Sequence, residues 1–111
     1  MDKTVEEVFE NDLLHDRKQL ISEYYFQLGI IKTRITIKLY KHIGENTVEY
    51  EQSHFISTPL QGGPYHPSRP EAEDEVRALQ RVIDDLTNWY RDAENNGHDP
   101  NESWLEKNED F

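Results

Sequence analysis

The stretch IKTRITIKLY, residues 31–40, decides the fold of this chain. Its odd-numbered positions are apolar except for Thr33, and its even-numbered positions are polar or charged except for the amphipathic Tyr40. A period of two residues is typical of a strand that turns one face to a core and the other to solvent. The pattern therefore predicts a β-strand whose isoleucine face must be covered by another element.

The residues after this strand predict its partner. Residues 44–46 read Gly-Glu-Asn, which favours a turn, and residues 47–57 then favour a returning strand. The charged residues of the two strands can meet across the pair on the outer face, where opposite charges stabilise a sheet. They are Glu49 and Glu51 on one strand and Lys38 and Arg34 on the other. We expect an antiparallel hairpin over residues 31–57.

The segment before the hairpin begins with a helix signal. Thr4 followed by Glu7 matches a capping box, and apolar residues then recur at helical spacing. These apolar residues are Val5, Val8, Phe9 and Leu13. We expect an N-terminal helix that helps to cover the sheet.

Residues 20–28 allow two interpretations. Their apolar positions could continue a helical stripe as far as Gly29, or they could form a third strand. The run Tyr24-Tyr25-Phe26 favours the strand, because aromatic side chains prefer extended backbone.

A long helix should follow a proline-rich loop. Residues 58–70 contain four of the five prolines and Gly62-Gly63, which cannot continue a helix or a central strand. A helix over residues 70–96 is then predicted, capped by Ser68 with Glu71 and ended by Gly97. Its apolar stripe follows a spacing of four and three residues. The stripe consists of Ala72, Val76, Leu79, Ile83, Leu86, Tyr90 and Ala93, flanked by Val82 and Trp89.

Together these elements predict an α+β fold, in which a small antiparallel sheet is covered by the long helix and the N-terminal helix. One domain is expected over residues 1–97, because 111 residues leave no room for a second core. Residues 98–111 form an acidic tail whose start, around Asp99-Pro100-Asn101-Glu102, can begin a short helix. The tail can pack on its own domain or be presented to a partner.

Charge restricts the partners. The chain has 12 Lys and Arg against 23 Asp and Glu, a net charge of -11, and residues 30–58 are nearly balanced. The excess negative charge on the remaining segments should repel nucleic acid and anionic membranes. The chain has no cysteine, which suits a reducing compartment. It also has no signal peptide and no apolar run that approaches membrane-spanning length. A cytoplasmic location without direct nucleic-acid or membrane binding is expected.

Catalytic and metal-binding patterns are weak. The segment Asp92-x-Glu94-x-Asn96-Gly97 partly follows an EF-hand calcium loop, but Ser103 stands where the bidentate glutamate is needed. The five histidines show no metal-binding spacing, and no phosphate-binding loop or nucleophile motif is present. We therefore expect no enzymatic activity and no cofactor.

The sequence instead favours a regulatory binding protein that engages a basic surface on another protein. A specific form of this hypothesis is an inhibitor that imitates the charge of nucleic acid. The candidate contact residues come from the loop, the long helix and the tail. They are Tyr65 and His66; Glu73, Asp84 and Asp85; and Trp104, Leu105 and Phe111.

Two alternatives remain open. The stripe over residues 72–93 could pair with another helix, which predicts a structural subunit or a homodimer. The abundant carboxylates and the histidines could instead serve a small metal-dependent enzyme or a calcium-binding protein.

Overall fold

The computed structural model describes residues 2–67 and 69–111. These described residues form two α-helices, six strands and one 3-10 helix. In chain order these are α1 (Val5–Val8), β1 (Lys18–Phe26), β2 (Ile35–His42), β3 (Val48–Gln52), β4 (His54–Ile56), β5 (Glu71–Ala72), α2 (Glu75–Asn95), the 3-10 helix (Glu102–Trp104) and β6 (Leu105–Lys107). The predicted α+β class is confirmed.

An antiparallel sheet in the order β1-β2-β3-β5 forms the centre of the fold. Ile35, Ile37 and Leu39 on β2 are fully buried, so the alternating stretch is the central strand as predicted. β2 begins at residue 35 rather than 31, because a turn closed by the Ile31 amide on the Leu28 carbonyl precedes it. In the hairpin register Glu51 lies opposite Lys38, whereas Glu49 lies opposite Tyr40.

The strand interpretation of residues 20–28 is confirmed by β1, which pairs with β2 along its whole length. A bulge between Leu20 and Ser22 shifts the register by one residue. β1 stands at one edge of the sheet order.

The long helix is confirmed, but its start is later than predicted. Asp74 caps α2, and its side chain accepts a hydrogen bond from the Arg77 amide at 2.8 Å. Glu71 and Ala72 do not belong to the helix, because they pair with β3 as strand β5. The other predicted capping residue, Ser68, lies outside the described residues. At the other end Gly97 has a φ of +85° just past the helix, as predicted.

The buried face of α2 is rotated relative to the predicted stripe. Val76 is 72% exposed and Ile83 is 39% exposed, whereas Val82 and Ala78 are buried. The buried residues follow mainly i,i+4 spacing, which places a diagonal row over the sheet. They are Ala78, Val82, Leu86, Tyr90 and Ala93.

The N-terminal helix is one turn long and does not cover the sheet. Thr4 caps α1 as predicted, since its hydroxyl accepts a hydrogen bond from the Glu7 amide at 3.1 Å. None of the residues of α1 is buried. The helix ends early because the Asn11 side chain accepts from the Leu13 amide at 2.9 Å and forms a local turn. Leu13 is consequently 84% exposed.

Residues 98–111 pack on the rest of the chain, which decides between the two alternatives for the tail. Asn101 caps the 3-10 helix, so the predicted helix start is present as a single short turn. Trp104 is 2% exposed and contacts Tyr90 edge to face, with ring centroids 5.6 Å apart. Leu105 pairs with Ile56 where β6 meets β4. The core therefore continues into the segment that the sequence pattern separated from the domain.

Candidate partner-binding face

The base of the proline-rich loop is held by its own side chains. The Gln61 side chain accepts a hydrogen bond from the Thr58 amide at 2.7 Å and donates one to the Ile56 carbonyl at 3.1 Å. Thr58 is buried, whereas Gly62, Gly63 and Tyr65 are exposed. An exposed tip on a fixed base is a suitable geometry for a contact loop.

On one side of the loop tip, a groove of about 370 Å³ separates the loop from α2. Tyr65 of the loop and Asp84 and Asp85 of the helix are on its walls, so the structure brings these three predicted residues together. The complete lining is Tyr50, Gln52, Tyr65, Pro67, Arg81, Val82, Asp84 and Asp85.

On the other side of the tip, His66 packs on Phe55 with ring centroids 4.2 Å apart. This pair borders a second groove of about 370 Å³, whose other wall is the acidic tail. The tail is held there by Asn108, whose amide donates to the Ser53 carbonyl at 2.8 Å and whose side chain donates to the Gln52 carbonyl at 2.9 Å. The tail residues in the lining are Glu106, Lys107, Asn108, Glu109 and Asp110.

We call the surface that joins these two grooves the acidic loop face. It is defined by Tyr65, His66, Asp84, Asp85, Glu106, Glu109 and Asp110. The face has five carboxylates, and the linings of the two grooves also contain two cations, Lys107 and Arg81. Together these side chains have a net charge of -3. The Arg81 guanidinium donates to the Glu71 carbonyl and also interacts with Tyr50 in the wall of the first groove. The face thus combines two loop side chains with a surplus of negative charge.

The two helix carboxylates differ in environment. Burial raises the pKa of Asp85, and a hydrogen bond from the Trp89 side chain opposes this shift. Asp84 is exposed and accepts a hydrogen bond from the Gln80 side chain at 2.7 Å. A cation placed in this groove would favour the charged form of Asp85, so the groove suits a positively charged group better than a neutral one.

The other four predicted contact residues do not join this face. Glu73 forms an ion pair with Arg77 at the start of α2 and lines a separate groove. Trp104 and Leu105 belong to the core, so their side chains are not available as contact anchors. The Phe111 ring lies 4.5 Å from the Lys38 ammonium, on the side of the sheet away from α2.

Three carboxylates of the face, Glu106, Glu109 and Asp110, were recognised in the sequence only as tail charge. Their position depends on the pairing of β6 with β4, which joins residues about fifty positions apart. The residues of this short strand, Leu105-Glu106-Lys107, show no alternation of apolar and charged side chains, so local spacing carries no signal for it.

Within residues 2–67 and 69–111, no three His, Asp or Glu side chains form a group that could hold a metal ion. The calcium-like segment is the end of α2, where the His98 amide donates to the Ala93 carbonyl at 3.1 Å and Gly97 completes the cap. No helix in the same residues is long and apolar enough to cross a membrane.

No protein-family model, curated protein or solved structure matches this chain.

Proposed function

We propose that this protein is a non-enzymatic binding protein whose acidic loop face docks on a basic surface of a partner protein. One observation carries the proposal: Tyr65 and His66 stand between two sets of carboxylates that come from α2 and from the tail. Elements far apart in the sequence thus contribute one type of charge around one exposed loop.

The physical basis is a division of roles between the loop and the carboxylates. Pro64 and Pro67 restrict the backbone on either side of Tyr65 and His66, so little conformational entropy is lost when these side chains are bound. Aromatic side chains in such positions supply much of the binding energy of protein interfaces. The carboxylates raise the rate of encounter with a basic surface and fix its orientation.

In a specific form of this proposal, the partner normally binds nucleic acid and the carboxylates occupy its phosphate sites. On α2 the acidic residues alternate with Arg77, Arg81 and Arg91, so the helix alone does not present a continuous row of negative charge. The tail supplies the remaining carboxylates. Competition between this protein and DNA or RNA for the purified partner tests this form.

Assembly through α2 has less support. The residues that would form a helix-helix seam, such as Leu86 and Ala93, are buried in the core of the same chain. Only Val76 and Ile83 of the predicted stripe are exposed, and two residues form too narrow a seam for a coiled coil.

The proposal is tested by affinity capture from the native host with two charge-matched variants of the full chain. The first carries Asp84→Asn, Glu106→Gln and Asp110→Asn on the acidic loop face. The second carries Glu6→Gln, Glu7→Gln and Glu10→Gln on the exposed N-terminal segment. Both remove three negative charges, so only the location of the charge differs.

We expect the wild type and the second variant to capture the same basic protein. The first variant should bind the purified partner at least about tenfold more weakly, and wild-type binding should weaken with added salt. Equal losses in the two variants would show that net charge alone is responsible. If the affinity for the partner is unchanged by salt and by the substitutions of the first variant, the proposed role of the acidic loop face is wrong.

A further inference from the structure

The first groove, between the proline-rich loop and α2, has the size of a site for one side chain. Its volume of about 370 Å³ is near the lower end of the range for small-molecule pockets, roughly 300–1,000 Å³. Val82, which is 3% exposed, gives the groove an apolar wall. Tyr65 and Pro67 form the wall on the loop side. This volume is too small for a helix of a partner, but it suits the end of one long side chain.

Two buried polar side chains, Tyr50 and Gln52, line this groove, and each is 5% exposed. The Gln52 amide nitrogen donates to the His54 carbonyl at 2.9 Å, whereas its amide oxygen accepts no hydrogen bond from the described residues. Every side-chain nitrogen or oxygen that is sealed from solvent in these residues has a hydrogen-bond partner. The Gln52 oxygen is therefore accessible from the hollows that this side chain lines. It can accept from a donor that enters from outside.

Asp85 is a second acceptor that lacks a cation. No lysine, arginine or histidine of the described residues lies within ion-pair distance of its carboxylate. Arg81 is one helical turn away, at a spacing that allows an ion pair, but its guanidinium donates to the Glu71 carbonyl instead. The Asp85 carboxylate is therefore available to a cation from another protein.

The polar groups of the groove lie around the Tyr50 hydroxyl. Burial raises the pKa of this hydroxyl, Arg81 lowers it, and Tyr65 and Asp85 raise it further. Interactions of this kind weaken with distance, so the three side chains lie near one oxygen atom. Tyr50 and Gln52 are two residues apart on β3, which places both on the same face of the sheet. The acceptors thus converge on one small region.

We propose that the first groove receives an arginine side chain of the partner protein, which binds at Asp85 and packs against Tyr65. This inference rests on the proposed function, because it names the partner group that one part of the acidic loop face recognises. A guanidinium has donors on three nitrogens in one plane, which match a carboxylate, an amide oxygen and a hydroxyl. Its flat surface also stacks on an aromatic ring. A lysine ammonium is a compact charge that cannot reach separated acceptors and stack at the same time.

The charge of the groove favours this ligand. Its lining contains Asp84 and Asp85 against the single cation Arg81, a net charge of -1. Arg81 is held by the Glu71 carbonyl and by Tyr50, so it stays at one end of the groove. An entering guanidinium therefore binds at the Asp85 end, where the two positive charges are apart and the carboxylate is unpaired.

Amides of single amino acids test the groove without the partner. The probe is N-acetyl-arginine amide, and the control is N-acetyl-citrulline amide, which has a similar shape and no charge. NMR titration of the isotopically labelled full chain should show millimolar binding of the arginine amide, with shifts of the backbone amides of Tyr50, Val82 and Asp85. The citrulline amide should bind at least about fivefold more weakly, and N-acetyl-lysine amide at least about twofold more weakly. Equal binding of either control, or no shifts at these residues, would overturn the proposal.

Asp85→Asn keeps the shape of the side chain and removes its charge. It should weaken binding of the arginine amide at least about fivefold, and Tyr65→Ala should weaken it about threefold through the lost stacking. Asp92→Asn is the matched control, because it removes the same charge from an exposed position of α2 outside the groove lining. The control should change the affinity by less than about twofold. Equal losses in Asp85→Asn and Asp92→Asn would contradict a site at Asp85, and unchanged amide shifts elsewhere show that the variants remain folded.

The same variants separate this proposal from the proposed function, because neither capture variant is changed at Asp85. Asp85→Asn alone should weaken the complex with the purified partner at least about fivefold. If the first capture variant loses the partner but the arginine amide does not bind, the acidic loop face stands and the arginine site is wrong. If the arginine amide binds at Asp85 but the first capture variant retains the partner fully, the groove recognises arginine and the proposed docking face is wrong.

Discussion

Tyr90 lies directly against the backbone of Gly29, and its hydroxyl oxygen accepts a hydrogen bond from the Ile30 amide at 3.2 Å. This contact joins α2 to the turn between β1 and β2. Gly29 has a φ of +54°, a region that favours glycine, and a Cβ at this position would overlap the Tyr90 ring. The glycine is therefore required both for the turn and for the close approach of the helix.

We expect Gly29→Ala to lower the free energy of unfolding by about 2–4 kcal/mol, because it adds steric overlap to backbone strain. Gly97→Ala is the matched control, since Gly97 has a φ of +85° and open space around it. That change should cost only the strain, about 1 kcal/mol. Urea denaturation measures both values, and equal losses would contradict the contact with Tyr90.

The rotated face of α2 predicts different costs for the same substitution on one helix. Val82→Ala should reduce stability by about 1–3 kcal/mol, because Val82 is buried. Val76→Ala should change stability by less than about 0.5 kcal/mol, because Val76 is exposed in the single chain. Denaturation at a concentration where the protein is monomeric compares them. A larger loss of stability at Val76 than at Val82 would instead support the apolar stripe that the sequence pattern predicted.

The tail should contribute to stability through its core residues. Trp104→Ala is expected to cost about 3–5 kcal/mol, since it empties a buried site beside Tyr90. Phe111→Ala is the control within the same segment, and it should cost less than about 1 kcal/mol because the ring is exposed beside Lys38. Thermal unfolding followed by circular dichroism separates the two. A small effect at Trp104 would support a detachable tail.

Asp85 should destabilise the folded chain near neutral pH. Burial raises its pKa above the ordinary value of 3.8, so the folded chain holds this proton more tightly than the unfolded chain. The stability that this tighter proton binding contributes is fully present below pH 3.8, and it is lost as pH rises through the pKa of Asp85 in the folded chain. Asp85→Asn should therefore stabilise the protein at neutral pH by a few tenths of a kcal/mol, because the group is only half-buried.

The gain from Asp85→Asn should disappear when unfolding is measured below pH 3.8, where the wild-type carboxyl is protonated in both states. Asp84→Asn removes the same charge from the neighbouring exposed position and serves as the control. A gain of equal size in the control would assign the effect to general charge repulsion rather than to burial.

Local patterns predicted most elements of the fold. Alternation identified β2, aromatic preference identified β1, and the proline-rich run identified the loop before α2. The predicted start of α2 and the predicted buried face of this helix were wrong. The face was wrong because two competing rows of apolar residues fit one helix. Only the position of the sheet makes Val82 central and leaves Ile83 partly exposed. Tertiary packing, which is absent from local spacing, decides between such rows.

The candidate site was predictable in part for the same reason. Unusual composition identified Tyr65 and His66, and helix position identified Asp84 and Asp85. The pairing of β6 with β4 places Glu106 and its neighbours on the acidic loop face, and Trp104 beside them is buried in the core. A strand of three residues has too short a pattern to reveal its partner.

While the chain is being synthesised, the whole four-stranded sheet and α2 leave the ribosome before Trp104 does. Tyr90 and Ile56 lack their neighbours in the core until residues 104 and 105 emerge. A nascent chain at that stage exposes apolar surface that favours aggregation or chaperone binding. Translation that stalls before residue 104 would therefore yield an incompletely packed intermediate rather than a smaller native protein.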